Sequence, residues 1–390
     1  MDDQGSILDR IISQQRTSEL TSFRPFELKK QLFSRLKNRE EEVLTKRFGL
    51  SGKTRMTLEE IGHEFHVTRE RVRQIEIFAI KKLFQEFTSN AQFSSSARVV
   101  QYLLEQSGGV REEQDLLSDV RILFTEEKGD NADAKEAMLA AENFFLFCLN
   151  HLWVGEVLKI DEDEDFHRSW RLPGVSLDAL KLFLSEARTV IERANASIPE
   201  NTFVSTLRES EFWKNFEAKY PSQTPKNDEG ILQALRASKR IASNVYGEWG
   251  MADWPLIHPK RMTDKIFLVL KHHGKPLHFR EITEKINETK FDFKKAYPPT
   301  IHNELILDKR YVLIGRGIYA LTEWGYSPGT VSEVIKALLS KTAEPMKRED
   351  IVREVLKQRM VHEATVNLAL TNRKLFSRAE GGYKLAEKEG

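Results

Sequence analysis

Cysteine is almost absent from this chain: Cys148 is the one thiol in 390 residues. A single cysteine excludes a disulfide framework and a cysteine-ligated zinc site, and fits a reducing compartment. Its neighbours Phe144, Phe145, Leu146, Phe147 and Leu149 predict a core position for it. No apolar run approaches the ~20 residues that cross a bilayer, and the opening MDDQGSILDR lacks the layout of a signal peptide. His272, His273 and His278 have no carboxylate or cysteine at ligand spacing, so no metal site is expected. Ser51-Gly52-Lys53-Thr54 has Arg47 where a phosphate loop needs its first glycine, and reads as an ordinary loop. No Ser/His/Asp, Cys/His or paired-carboxylate arrangement stands out. Neither an enzyme, a cofactor nor a small-molecule ligand is expected.

What is present is charge, unevenly placed. The net charge is only +1, yet residues 1–95 carry +3, residues 96–256 carry −10 and residues 257–390 carry +8. The two ends suit contact with phosphate, and the middle would be repelled by it. The acidic run at 161–165 falls in an expected hairpin loop and reads as solvated.

The most specific stretch is TLEEIGHEFHVTRERVRQIE, residues 57–76. Leu58, Ile61 and Phe65 recur at helical spacing and give a first helix one apolar face. Phe65-His66-Val67 breaks the run. Thr68 is then a suitable cap, because its hydroxyl can accept from a free backbone N–H of the next helix. That second helix buries Val72, Ile75 and Ala79, and its open side carries Arg69, Glu70, Arg71, Arg73 and Gln74. Such a set suits a DNA major groove: Arg pairs bidentately with guanine, Gln with adenine, Glu accepts from the cytosine amino group, and spare Arg side chains hold phosphates.

VTRERVRQIE, following TLEEIG and preceding Lys-Lys-Leu, resembles region 4.2 of the bacterial sigma-70 family, which binds the promoter −35 element. Upstream, LKNREEEVLTKRFGL (36–50) is similar to that family's region 4.1, and SGKTRM sits at its variable loop. The resemblance covers residues 23–87. By position it implies base reading by Arg69, Glu70 and Gln74. It implies backbone contact, or proximity to it, by Arg39, Arg47, Thr57, Glu59, Arg71 and Arg73. It also implies double-stranded promoter DNA and the flap region of the RNA polymerase core as partners. Phe78 departs from the basic residue that family members often carry there. Ile77, Ile80, Phe84 and Phe87 extend an apolar stripe, which is expected to dock against the next domain.

A divergent repeat fills the rest of the chain. Residues 235–254 (LRASKRIASNVYGEWGMADW) and 305–324 (LILDKRYVLIGRGIYALTEW) match at Lys239/Lys309, Arg240/Arg310, Gly247/Gly317 and Trp254/Trp324. A third copy is NRKLFSRAEGGYKLAE (372–387), and a weaker one ends in SWRL (169–172). Each reads as helices followed by a β-hairpin, with glycine supplying positive φ at the turn. The helices expected before the 305–324 hairpin are 262–273, 279–288 and 300–308. Before the last hairpin they are 331–340, 347–359 and 363–371. Helices followed by a hairpin make the winged-helix layout. KPLHFREITEKI together with YVLIGRGIYALTEWG further resembles the HARE-type helix-turn-helix domain, found in the polymerase delta subunit among other proteins.

The expected fold is mainly α with small β-hairpin wings. It comprises an N-terminal helical extension (1–22), a sigma region 4-like helix-turn-helix (23–96) and four winged-helix-like modules (97–174, 175–256, 257–327 and 328–390), the third of HARE type. Lys309, Arg310, Arg316, Arg373, Lys374 and Arg378 are candidate wing contacts to DNA. The expected function is that of a bacterial, cytoplasmic and nucleoid-associated transcription factor. The modules after residue 97 do not resemble the sigma region that melts promoters, so unaided promoter opening is not expected. Two other classes fit the same residues: a delta-like accessory factor acting by protein contacts, and a stand-alone DNA-binding repressor.

Overall fold

A computed structural model describes residues 24–94, 96–125, 132–342 and 344–386; the expected extension at 1–22 lies outside these. The protein is mainly α, 57% helical, with small antiparallel sheets. It forms two compact units, divided between Ala242 and Ser243. Among the described residues no helix is long and apolar enough to cross a membrane.

The first unit begins with four helices, α1 (Pro25–Phe33), α2 (Asn38–Phe48), α3 (Leu58–Glu64) and α4 (Arg69–Ser89). After a short α5 (Ala91–Ser94) come α6 (Ala97–Gln106), strand β1 (Val110–Glu112), α7 (Glu113–Thr125), α8 (Ala132–His151) and strands β2 (Leu158–Ile160) and β3 (Ser169–Arg171). The sheet order is β1-β3-β2, all antiparallel. One apolar core runs across residue 96. Leu32, Phe33, Leu44, Ala79, Leu83 and Phe87 of the first helices are buried with Phe144, Phe147, Cys148 and Trp153. Cys148 is thus a core residue, and burial pushes its thiol pKa up.

Next along the chain are α9 (Leu177–Ala194), β4 (Ile198–Pro199), α10 (Glu200–Glu209), α11 (Glu211–Lys219), α12 (Asp228–Arg236), β5 (Ile241–Ser243) and β6 (Glu248–Met251). The acidic 161–165 loop joins β2 to β3 as expected, but it is not simply solvated. Lys239 Nζ lies 2.7 Å from Glu162, Arg240 Nε lies 2.8 Å from Asp165, and the Lys239 N–H donates to the Asp165 carbonyl. The repeat's basic pair therefore meets the preceding hairpin loop.

The second unit contains α13 (Met262–His273), β7 (Leu277–His278), α14 (Phe279–Thr289), α15 (Pro298–Leu307), β8 (Tyr311–Gly315) and β9 (Ile318–Leu321), with sheet order β7-β9-β8. It closes with α16 (Val331–Leu339), α17 (Arg348–Gln358), α18 (Glu363–Leu370), β10 (Phe376–Ala379) and β11 (Gly382–Leu385). The six expected helices lie within two residues of their predicted spans. A short strand after the first helix of each set was not expected; in the last set it shrinks to a bridge between Met346 and Tyr383. The order helix, strand, helices, two strands thus occurs four times along the chain. Gly247, Gly317 and Gly381, aligned by the repeat, have φ of 74°, 71° and 96°, the left-handed conformation that glycine adopts without steric cost. The two sets of this unit are joined where the Met360 N–H donates to the Ile314 carbonyl at 2.9 Å and buried Arg359 donates to the Leu313 carbonyl.

Candidate nucleic-acid interface

The turn between α3 and α4 is built by local chemistry. Thr57 caps α3: its hydroxyl accepts from the Glu60 N–H at 3.2 Å, while the Glu60 carboxylate accepts from the Thr57 N–H at 2.7 Å. This capping box satisfies donors that an uncapped helix leaves open. His66 takes the left-handed conformation, φ 53°, and the Val67 N–H returns to the Gly62 carbonyl at 2.9 Å. A Cβ on Gly62 would stand 2.8 Å from the Val67 carbonyl oxygen, so the turn passes over this helix only if position 62 has no side chain. Thr68 then caps α4, its hydroxyl accepting from the Arg71 N–H at 3.2 Å. A small core of Val43, Ile61 and Val72, with Leu58, Phe65 and Ile75 against it, fixes the crossing of α2, α3 and α4.

Arg69, Glu70, Arg71, Arg73 and Gln74 are all exposed on the first turns of α4. Positions 69, 70, 73 and 74 share one face, as residues three and four apart do. The face is internally paired. Arg73 donates to both Glu70 oxygens at 2.8 and 2.7 Å, and Arg71 Nη1 donates to Gln74 Oε1 at 3.1 Å. The hydrogen bond from Arg73 holds the Glu70 carboxyl below its usual range. Arg69 makes no hydrogen bond or ion pair among the described residues.

The other four positions assigned to this segment from the sequence divide into two kinds. Arg47 is committed internally, donating to the Met56 carbonyl at 3.2 Å and lying 3.5 Å from Glu76. Thr57 is occupied by its capping box. Arg39 donates to the Phe65 carbonyl at 3.2 Å and lies over the Phe65 ring, yet stays exposed at the turn. Glu59 is exposed on α3. Far along the chain, Arg310 donates to Asp308, Asp264 and Thr263 and lies over the Phe267 and Tyr311 rings. The Arg310 hydrogen bond holds Asp308 well below the carboxylate range. Lys309 is exposed just before β8, and Arg316 is exposed at the β8–β9 hairpin tip. Arg373 and Lys374 are exposed before β10, and Arg378 leans on Tyr383.

The apolar stripe of α4 departs from expectation. Phe87 is buried and Ile80 and Phe84 are half-buried, but Ile77 and Phe78 remain 51% and 59% exposed. Docking thus takes only the C-terminal part of the stripe. Beside it Ile77, Ile80 and Phe84 line one wall of an open groove of about 720 Å³, with His151 and Val154 on the other.

One supporting residue carried no signal in the sequence. Buried Asn143 on α8 donates to the Gly49 carbonyl at 3.0 Å and accepts from Arg55 at 2.5 Å. It ties α8 to the loop after α2 across 94 positions, and no local pattern marks such a contact.

Residues 32–85 match the family model for sigma-70, region 4. In that region the chain is 56% identical over 59 residues to the RNA polymerase sigma factor SigA of Clostridium acetobutylicum, covering 14% of this chain and 16% of that protein. It is 60% identical over 48 residues to SigA of Lactococcus lactis subsp. cremoris, 12% and 13% of the two chains. It is 45% identical over 86 residues to the sigma factor RpoD of Helicobacter pylori, 21% and 13% of the two chains. The chain therefore spans less than a fifth of the length of these relatives. No solved structure matches it significantly. In sequence, residues 32–85 are similar to a sigma-70 region 4, and the likeness belongs to that segment rather than to the whole chain.

Proposed function

We propose that this protein is a DNA-binding transcription factor that reads a −35-like promoter element through α4 and associates with RNA polymerase. The observation that carries the reading is the exposed Arg69–Gln74 face, set on a capped, core-anchored helix within the segment that matches region 4. Arg69, Glu70 and Gln74 meet base edges. Arg71 and Arg73 trade their weak internal pairs for phosphates, and Arg39 borders the backbone. Thr57 and Arg47 act indirectly, by fixing the turn. The polymerase flap is the proposed protein contact, and the nucleoid the site of action.

The four helix–hairpin sets are proposed as winged-helix modules, the third of HARE type. They extend the contact along DNA or over the enzyme, with Lys309, Arg316, Arg373, Lys374 and Arg378 as wing cations. Arg310 is left out, since its guanidinium is spent on Asp308 and Asp264. Exposed Ile77 and Phe78 favour a second reading, in which the segment acts as a polymerase accessory factor through protein contacts alone. Capture with the tagged full chain from bacterial extract, in the presence of nuclease, tests the association. Recovery of the polymerase subunits is expected. Their absence would leave a stand-alone DNA binder.

A further inference from the structure

The loop joining α14 to α15, residues 290–297, reads KFDFKKAY and has an unusual build. It is held at several points. Lys290 ends α14 in the left-handed conformation, φ 51°. Phe291 packs against the core of the unit. Asp292 accepts from buried Lys265 at 2.6 Å and from the Lys294 N–H at 3.0 Å. The Asn287 side chain brackets Ala296, donating to its carbonyl at 3.1 Å and accepting from its N–H at 2.8 Å. From this fixed loop Phe293 projects with 110% relative exposure, the most exposed large apolar side chain among the described residues. Around it Lys290, Lys294 and Lys295 are exposed and form no ion pair among the described residues, and Tyr297 is 58% exposed. An open hollow of about 580 Å³ lies between Phe291, Phe293 and these lysines.

We infer that this loop binds single-stranded nucleic acid, with Phe293 stacking on an unpaired base and Lys290, Lys294 and Lys295 holding the flanking phosphates. An aromatic face bordered by free cations is the arrangement that grips a strand without reading its sequence. A ring wholly in water on a pinned loop gains by being covered, and a base face is flat, apolar and attached to the charge that the lysines lack. The loop's one carboxylate, Asp292, is already neutralised by Lys265. Duplex DNA fits less well. The following helix, α15, contains no Lys or Arg and exposes Ile306 and Leu307, so it offers no groove-reading face.

The test is anisotropy of labelled oligo-dT of about 15 nucleotides, and of a duplex of the same length, with the full chain. Phe293 is fully exposed, so Phe293→Ala is expected to leave the fold intact. It is expected to weaken oligo-dT binding roughly 5- to 150-fold and to leave duplex binding within about twofold. Phe293→Trp is expected to keep oligo-dT affinity. Lys294→Ala with Lys295→Ala should flatten the salt slope on the single strand by about 1.4. Unchanged oligo-dT binding by Phe293→Ala overturns the inference, as does an equal loss on strand and duplex. A Phe293→Ala defect seen only in sedimentation with phosphatidylserine vesicles also overturns it and makes the loop a membrane contact. The oligo-dT result is read whether or not α4 prefers a −35 duplex, so the two ideas fail separately.

Discussion

Removing Glu70 should move specific and non-specific DNA binding in opposite directions. In the free protein Glu70 and Arg73 form a bidentate pair at 2.8 and 2.7 Å, with the two side chains 58% and 51% exposed. Pairs so exposed and solvent-screened stabilise a fold only slightly, so Arg73 leaves Glu70 for a phosphate at a cost of less than about fivefold in affinity. Glu70→Ala removes that cost and one negative charge from the DNA-facing side. On a scrambled duplex, affinity should rise about two- to fivefold, with the salt slope nearly unchanged because Arg73 takes the same phosphate in either case. On a −35 duplex, the lost contact to a cytosine amino group costs about 1–3 kcal/mol and outweighs the gain. The preference for the −35 duplex should then shrink roughly tenfold or more. Anisotropy titrations of both duplexes between about 50 and 300 mM KCl measure all three quantities. If both affinities fall by one factor, or neither changes, Glu70 is not reading a base and the internal pair is not a reserve of cation.

Three further outcomes are expected. Arg69→Ala and Gln74→Ala should each weaken the −35 duplex by about 1–3 kcal/mol and relax specificity, while Arg73→Ala lowers affinity on all sequences and reduces the salt slope by about one, in the same titrations. Gly62→Ala should destabilise the first unit despite a helix-propensity gain of about 1 kcal/mol. The added Cβ meets backbone at 2.8 Å, and overpacking of this kind costs about 1–3 kcal/mol; urea unfolding of α3 and α4 followed by hydrogen exchange would show the sign. Glu112 has its carboxyl pushed up to about 7, by burial and then by Asp115, with Arg236 opposing. Between about pH 4.5 and 7 the folded state keeps a proton that the unfolded state has released, so this group's contribution to stability falls as pH rises. Glu112→Gln should stabilise the fold at pH 8 by about 1 kcal/mol after allowing for partial exposure, raising the thermal midpoint there and leaving it unchanged at pH 4.

Much of this architecture was legible in the sequence where the signal is local. Thr68 marks a helix start, the spacing of Leu58, Ile61 and Phe65 fixes the buried face, and Gly247, Gly317 and Gly381 mark hairpin turns. The strands β1, β4 and β7 were missed because two or three residues are too few to show alternation. The long-range pairings were missed for a different reason. Nothing near Asn143 points to Gly49, and nothing near 161–165 points to Lys239 and Arg240, since such contacts depend on where distant elements pack. Arg310 illustrates the same limit at the wing. As sequence it is a cation beside a hairpin; in the fold it is closed in by Asp264 from α13. Ile77 shares a periodicity with Ile80, Phe84 and Phe87, but periodicity does not tell how far along the helix the neighbouring element reaches.

Recognition of a specific duplex by α4 underlies the other roles proposed for this chain. Its most direct test is the affinity of the full, unsubstituted chain for a −35 duplex against a scrambled duplex of equal length and composition, at about 150 mM salt, where phosphate contacts alone hold non-specific complexes only weakly. A preference of at least about tenfold, abolished base by base at the positions facing Arg69, Glu70 and Gln74, is the expected result. Equal affinity for the two duplexes would contradict it.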